Sequence, residues 1–162
     1  MVWRGGSPLI IIISCGKRKL EGRAKAKDIY IGSLYHQKLE YVRTLYPNHE
    51  FYIISAKHGL IHQDVVISSY DRVLPSSREE FKEWTDLVTR QLQAFDSKEE
   101  VLFLGGARYY VPVDEYFTGV KYAPLIGKSL GGGKAYLHNS VVSHHQKKQK
   151  SLFSNKSKTK GD

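Results

Sequence analysis

The chain has 162 residues, which fits one domain, and 41% of them are hydrophobic, enough to build a core. Its formal net charge of +9 and its pI near 9.5 favour anionic partners such as nucleic acid or phosphorylated small molecules. The single cysteine, Cys15, excludes an intramolecular disulfide and suits a cytoplasmic location, and the apolar run that ends at Ile13 is too short for a membrane span and lacks a signal-peptide cleavage pattern.

The first half of the chain predicts two buried strands with a helix between them. Residues 8–14 are apolar and largely β-branched, which is typical of a strand covered on both faces. A polar loop over residues 21–27 leads to a helix over residues 32–46, where apolar side chains recur at helical spacing. Residues 51–55 predict the second strand, and residues 56–75 show no clear periodicity.

The second half continues the alternation of helix and strand. Residues 77–80 form a capping box, Ser-Arg-Glu-Glu, that predicts the start of a long amphipathic helix. Residues 101–104 predict a third buried strand, which is broken by glycines. A short helix over residues 109–117 and a fourth strand over residues 120–122 follow.

The C-terminal part begins with three glycines, residues 131–133, which predict a flexible turn before a last helix over residues 134–145. The polar, basic residues 147–162 predict a disordered tail. The stretch GKSLGGGK does not fit a P-loop, because five residues instead of four precede its Gly-Lys pair and Ala135 stands where Ser or Thr is needed. Lys134 remains a candidate for contact with an anionic ligand.

These elements predict an α/β fold, with residues 1–146 forming a single three-layer domain. We expect a mostly parallel central sheet of about four strands with helices on both faces. Ligands of such sheets bind at the carboxyl ends of the strands. Residues 14–16, 55–59 and 105–107 follow the three buried strands, so we expect them to line one crevice.

The end of the first strand carries small residues and cations. Gly16 permits close approach of a ligand to the backbone, Arg18 can bind phosphate through two nitrogens, and Lys17 adds a point charge. Together with Ser14 and Cys15 they predict a phosphate or nucleic-acid backbone site. The alternative is a solvated basic loop. For Cys15, a buried or incidental thiol is favoured over a nucleophile activated by the nearby cations.

The end of the second strand carries the densest cluster, Ser55, Lys57, His58 and Gly59. His58 is a candidate general acid or base near neutral pH. Lys57 is a candidate phosphate ligand, or an amine nucleophile if it is desolvated. The alternative is that His58 only bonds a loop carbonyl and that Lys57 faces water.

Two further places complete the predicted site. Asp64 and Asp71, in the loop after the second strand, are both candidates for a general base or water-positioning group, unless Asp71 simply pairs with Arg72. Gly105 and Gly106 end the third strand and leave room for a sugar or base. Tyr109 or Tyr110 follows as a candidate stacking residue, with an ordinary core-edge role as the alternative.

Three segments resemble the YaaA-like superfamily: DIYIGSLY at residues 28–35, IISAKHGLIHQDVVISSYDRVL at residues 53–74 and VLFLGGARYY at residues 101–110. The opening SCGKRK is similar to the shorter branch of phage and prokaryotic domains. The chain departs from YaaA-type proteins at Cys15, Lys57 and His58, so roles there do not transfer. The matched positions, which add Tyr30 and Tyr70 to the predicted binding residues, are Ser14, Lys17, Tyr30, Gly32, Ser55, Lys57, Gly59, Tyr70, Asp71, Gly105 and Gly106.

The resemblance implies association with DNA and its protection. Through the shorter branch it also implies a distant likeness to uracil-DNA-glycosylase-like domains and to enzymes of modified-base metabolism. The expected partner is therefore nucleic acid, DNA in preference to RNA, or a phosphorylated nucleotide. We expect no metal and no cofactor, because one cysteine offers no zinc pattern and no dinucleotide-binding fingerprint is present.

Three functions remain open from the sequence. The first is an enzyme that cleaves an N-glycosidic bond or acts on the base, in which Asp71 supports the positive charge on the sugar and His58 donates a proton to the departing base. The second is a non-catalytic nucleic-acid-binding module in which Tyr109 stacks on a base. The third is a hydrolase or transferase of small nucleotides.

Overall fold

A mixed α/β architecture is seen in the computed structural model, which describes residues 9–158. Pro8, predicted as part of the first strand, and tail residues 159–162 lie outside the described residues. In chain order the elements are β1 (Leu9–Ser14), β2 (Arg23–Lys25), α1 (Ala26–Ile29), α2 (Ser33–Leu45), β3 (Tyr52–Ser55), β4 (Gly59–His62), β5 (Val66–Ser68), α3 (Arg78–Leu92), β6 (Glu100–Leu104), α4 (Ala107–Tyr116), β7 (Lys121–Tyr122) and α5 (Leu130–Lys158).

The central sheet has five strands in the order β4-β3-β1-β6-β7. β1 lies in the middle and pairs in parallel with β3 on one side and with β6 on the other, and β7 continues the parallel set beyond β6. The predicted mostly parallel sheet is therefore confirmed. The fifth strand is β4, which pairs antiparallel with β3 through a tight hairpin at the edge. A separate two-stranded sheet joins β2 and β5.

β1 is buried on both faces, as its isoleucines predict. Ile11 and Ile13 belong to the core cluster that includes apolar residues of α2 and α5. Ile10 and Ile12 belong to the opposite cluster, which includes residues of α3 and α4. Each buried isoleucine contributes about 1.5–3 kcal/mol relative to an exposed one. Alternating side chains of one strand thus hold helices on both faces of the sheet.

The predicted starts of α2 and α3 are correct to within a residue. The Ser77 hydroxyl accepts a hydrogen bond from the Glu80 amide at 3.2 Å, so this side chain caps the first turn of α3. The short helix α4 begins at Ala107, two residues before the predicted start at residue 109. Its first turn therefore lies at the carboxyl end of the sheet.

Three predicted segments differ from the structure. Residues 21–27 are not simply a loop, because they contain β2 and the start of α1, and residues 56–75 contain β4 and β5. Residues 131–133 lie inside α5 instead of forming a turn. The Ser129 hydroxyl caps this helix by accepting from the Gly132 amide at 3.1 Å, which explains how a glycine run begins it.

The long helix α5 also differs from the expected tail, because it continues to Lys158 through most of the segment whose composition predicts disorder. Its first half packs against α2, with Leu137 and Val141 buried in the core. Its second half is mostly exposed and includes Leu152 and Phe153. In the described part of the chain, helices that combine the length and apolarity of a membrane span are absent.

Candidate functional site

The ends of the three central parallel strands meet at one edge of the sheet. Ser14 pairs with Ile54, next to Ser55, and the residue after β6 is Gly105. A Cβ atom on Gly105 would lie 2.6 Å from the Ser14 Cβ and Oγ atoms, closer than real Cβ contacts allow. The structure therefore brings Ser14, Ser55 and Gly105 to one edge, as the sequence predicts, and a glycine is required at the third strand end.

A chain of hydroxyl groups runs along this edge. The Tyr70 hydroxyl lies 2.7 Å from the Ser55 Oγ and 2.8 Å from the Tyr30 hydroxyl. Burial raises the pKa of both tyrosines, so both hydroxyls keep their protons at neutral pH. The Ser55 Oγ also accepts from the amides of Lys57 and His58, each at 3.2 Å. The loop that carries Tyr70 is thereby held to the end of β3.

Cys15 lies between this hydroxyl chain and α4. Its Sγ is 3.4 Å from the Tyr109 hydroxyl, and its amide donates to the Ile54 carbonyl at 3.0 Å. Burial, followed by the neighbouring thiol, raises the pKa of Tyr109. Trp84 packs edge-on against the Tyr109 ring, with 5.7 Å between centroids. Tyr109 is therefore a half-buried wall of the site and is held by packing on one side and the thiol on the other.

Lys57 and His58 occupy the turn between β3 and β4. Gln91 of α3 clamps this turn, because its Oε1 accepts from the Leu60 amide at 2.7 Å and its Nε2 donates to the His58 carbonyl at 3.0 Å. Gly59 adopts a φ of 67°, which favours glycine. The sequence thus placed both side chains correctly on a strand end but did not reveal the α3 residue that holds them.

The side chains of His58 and Lys57 have different surroundings. The His58 ring packs edge-on against Tyr70 at 5.5 Å, and its Nε2 is buried without a hydrogen-bond partner among the described residues. Burial, and then the charge of Lys57, lower the pKa of His58, so its imidazole is neutral at pH 7. Lys57 is exposed, with its Nζ 5.8 Å from the Tyr70 ring centroid. Lys57 is thus not the desolvated amine that the nucleophile hypothesis requires.

Asp71 follows Tyr70 on the exposed loop. Within the described residues, neither an ion pair with Arg72 nor a hydrogen bond of the Asp71 carboxylate is found. The structure therefore does not contain the Asp71–Arg72 ion pair that was the alternative to a functional role. The carboxylate lies beside the hydroxyl chain in sequence and is accessible to water.

The cationic loop after β1 covers the tyrosines. The Lys19 Nζ lies 4.3 Å from the centroid of the Tyr70 ring and donates to the Lys17 carbonyl at 2.9 Å. The side chains of Lys17 and Arg18 are exposed, and Gly16 packs near Tyr30 and Tyr35. Two cations are thus open to solvent at the mouth of the site, while the third rests on an aromatic face.

A pocket of about 120 Å³ opens between the ends of β1 and β6 and the starts of α4 and α5. Its lining contains small residues and cations, and lacks His58 and Asp71. The lining residues are Ser14, Leu34, Lys38, Gly105, Gly106, Leu125, Lys128, Ser129, Leu130 and Gly133.

Lys38 is the buried cation of this pocket, and the sequence analysis did not identify it. It is only 3% exposed, and its Nζ donates to the Ser14 carbonyl at 3.0 Å and to the Ser14 Oγ at 2.8 Å. Burial lowers the pKa of Lys38 to about 8. The available signal was its position on α2, between Leu34 and Val42 on the apolar face, where a cation is unusual.

Lys134 lies near this pocket but is engaged elsewhere. Its Nζ donates to the Ser33 Oγ at 3.0 Å and so ties the start of α5 to the start of α2.

Groups of His, Cys, Asp and Glu that could hold a metal ion are not found in the part of the chain that the structure describes.

Comparison with known proteins adds a family. Residues 10–139 match the profile of a family of unknown function (DUF6884). The protein described as uncharacterized protein YfjM of Bacillus subtilis (strain 168) is 34% identical over 110 residues, which cover 62% of this chain and 71% of that protein. No solved structure matches the chain significantly. The matched residues include all three strand ends and the first turns of α5.

Proposed function

This chain belongs to the DUF6884 family, and we propose that it is an enzyme that cleaves the N-glycosidic bond of a nucleotide, either free or within nucleic acid. The observation that carries the proposal is the pocket at the carboxyl ends of β1 and β6, which is built from a buried lysine, two glycines and two helix starts. Ligand sites of parallel α/β sheets lie at this edge. The resemblance to the YaaA-like superfamily points to the same class of substrate.

The pocket suits the sugar-phosphate part of a nucleotide. Its volume of about 120 Å³ is smaller than the roughly 300–1,000 Å³ of sites that enclose a whole drug-sized ligand. Gly106 is the N-cap of α4, and Leu130 is the first residue of α5, so the positive ends of two helix dipoles favour an anion. Lys128 adds an exposed cation at the rim. In this proposal the phosphate binds there and the base remains outside the pocket.

The hydroxyl chain and Tyr109 suit the base. Protonated tyrosine hydroxyls offer donors and acceptors to a base edge, and an aromatic wall offers a stacking surface. In the proposed reaction the neutral imidazole of His58 donates a hydrogen bond to the departing base. Asp71, the accessible carboxylate beside Tyr70, supports the positive charge that builds on the sugar.

The test is mass spectrometry of bases released from DNA oligonucleotides and free nucleotides that carry modified and unmodified bases. We expect a free base from at least one substrate, and we expect Asp71→Asn and His58→Ala to abolish its release while circular dichroism shows an intact fold. Asp86→Asn and His145→Ala, at exposed positions on α3 and α5, are the matched controls.

Two outcomes would count against the proposal at different levels. If no substrate of the panel yields a free base, the enzymatic function is contradicted. If base release occurs but persists in both variants, the function stands and the roles given to His58 and Asp71 are wrong.

A second candidate function is nucleic-acid binding without catalysis, and the charge of α5 favours it. Residues 116–161 contain no Asp or Glu, and α5 alone carries six lysines. Lys147, Lys148 and Lys150 are exposed on its second half. A surface of one sign on a projecting helix is suited to a phosphate backbone.

This candidate is tested by the salt dependence of binding to a DNA duplex of random sequence. We expect Lys147→Glu, Lys148→Glu and Lys150→Glu each to make the slope of log K against log salt shallower by about one, because each removes a charge that neutralises a phosphate. The exposed Lys82→Glu on α3 is the control. A slope that is flat in the unmodified protein would contradict binding of this kind.

A further inference from the structure

We propose that Lys38 is the nucleophile of this site, and that its amine attacks the sugar carbon C1′ and forms a transient covalent Schiff base with the substrate. This inference rests on the proposed cleavage of an N-glycosidic bond and names the group that breaks it. Its basis is the position of the Lys38 amine, which lies in the wall of the strand-end pocket and is held by two hydrogen bonds to Ser14.

The hydrogen bonds orient the nitrogen for this role. A neutral lysine amine has two N–H groups and one lone pair. The Lys38 Nζ has two acceptors, the Ser14 carbonyl at 3.0 Å and the Ser14 Oγ at 2.8 Å. Because both N–H groups are engaged by Ser14, the lone pair remains free to react with a group that enters the pocket.

Burial makes this amine available near neutral pH. Lysine becomes a catalytic nucleophile when it is desolvated, because its charged form is then disfavoured. Lys38 is 3% exposed, and burial lowers its pKa to about 8, so roughly a tenth of the amine is neutral at pH 7. Among the described residues, carboxylates do not line the pocket.

The glycines around the pocket leave room for the sugar. Gly105 adds no side chain beside Ser14, and a Cβ on Gly106 would meet no heavy atom within 4 Å. The phosphate then contacts the helix starts and Lys128 instead of Lys38. The site therefore separates anion binding from nucleophilic attack, which is needed because the attacking amine must be uncharged.

The reaction balances without an oxidant or a reductant. The Nζ lone pair forms a bond to C1′ as the C1′–N bond to the base breaks, and its electron pair leaves with the base. The new ammonium loses one proton, and the base gains one. The nitrogen lone pair then expels O4′, which is protonated by water, and an iminium ion remains. Water adds to C1′, the amine departs, and the net reaction is hydrolysis.

The test is reductive trapping with an oligonucleotide that contains one abasic site, whose aldehyde reacts directly with the amine. The full chain is incubated with this DNA and sodium cyanoborohydride, and the products are separated on a denaturing gel and mapped by peptide mass spectrometry. We expect a covalent protein–DNA adduct on Lys38, with a yield that rises as the pH passes through about 8.

Variants test whether the reaction needs the amine of Lys38 or only its positive charge. Lys38→Arg keeps a cation but has no amine that can form an imine, so we expect loss of the adduct and of base release. Lys82→Arg, an exposed lysine on α3, should give the full adduct. Peptide mapping of the unmodified protein identifies the trapped lysine even if a Lys38 variant fails to fold.

The outcomes distinguish this inference from the function on which it rests. Absence of an adduct, or an adduct confined to other lysines, overturns the role of Lys38. If base release then persists, the proposed function survives with water as the nucleophile. If the adduct maps to Lys38 but no substrate releases a base, the reactive amine is confirmed and the proposed function is contradicted.

Discussion

The Lys38 ammonium donates to both oxygens of Ser14, at 3.0 Å to the carbonyl and at 2.8 Å to Oγ. This contact joins α2 to the last residue of the central strand. Folding therefore places a buried cation at the strand end where the candidate pocket opens. The contact has consequences for stability that can be measured without knowing the substrate.

The first prediction concerns the pH dependence of stability. The pKa of Lys38 is lowered from 10.5 to about 8 in the folded protein. Between these values the unfolded chain holds a proton that the folded chain has lost, so the free energy of unfolding rises with pH in that window. We expect the protein to gain about 2 kcal/mol between about pH 7 and pH 9.5 relative to Lys38→Met in urea unfolding.

The comparison with Lys38→Met isolates this group from the tyrosines. Burial raises the pKa of Tyr30 above its usual value of 10.0, so its contribution is lost only as the pH rises above that value. The same tyrosine is present in both proteins. Parallel stability profiles across the window would show that Lys38 is not desolvated in solution.

The second prediction concerns Gly105. A Cβ there would lie 2.6 Å from the Ser14 side chain and 2.8 Å from the Phe103 Cζ. We expect Gly105→Ala to lower the free energy of unfolding by about 1–3 kcal/mol, because the crowded strand ends must separate. Gly131→Ala, in the first turn of α5, is the control, because a Cβ there would meet no heavy atom within 4 Å. This substitution should be neutral or slightly stabilising. Equal effects of both substitutions would contradict the crowding.

The third prediction concerns the clamp between Gln91 and the β3–β4 turn. Gln91→Ala leaves the Leu60 amide and the His58 carbonyl without their partner. We expect a loss of about 1–3 kcal/mol in stability and faster hydrogen exchange at the Leu60 amide. Gln93→Ala, exposed at the end of α3, should change neither. Unchanged exchange at Leu60 in the Gln91 variant would mean that the clamp is not formed.

The fourth prediction concerns the hydrogen bond between Tyr70 and Ser55. Their hydroxyls are 2.7 Å apart and partly buried, so Tyr70→Phe and Ser55→Ala should each cost about 1–3 kcal/mol. The double variant should cost less than the sum, with a coupling energy of about 1 kcal/mol or more. Additive effects in this cycle would show that the two hydroxyls act independently.

Much of the fold could be predicted because its signals are local. The isoleucines of β1 alternate between two core clusters, and the Ser77 hydroxyl caps α3 as its spacing indicates. The β3–β4 hairpin was not predicted, because it depends on Gly59 at positive φ and on Gln91, thirty-one residues beyond Leu60. Such a pairing leaves no periodic pattern in the sequence.

In the candidate site, too, only the features with a local sequence signal could be predicted. Ser14, Ser55 and Gly105 could be placed at one edge because parallel strands share their carboxyl ends. Lys38 could not be assigned to it, because a helix residue reveals its strand partner only after packing. The hydroxyl bond between Tyr70 and Tyr30 spans forty residues that include α2 and three strands, so spacing alone did not indicate it.

The central position of β1 has a consequence for synthesis on the ribosome. Ile10 pairs with Val101, so β1 emerges roughly 90 residues before the strand that covers one of its edges. Until β6 arrives, an apolar strand with an unpaired edge is exposed in the nascent chain, which is a known route to aggregation. Parallel pairing over such a separation is also slow. Yield of folded protein should therefore depend on translation speed and on chaperones that bind isoleucine-rich segments, more than on the final stability of the domain.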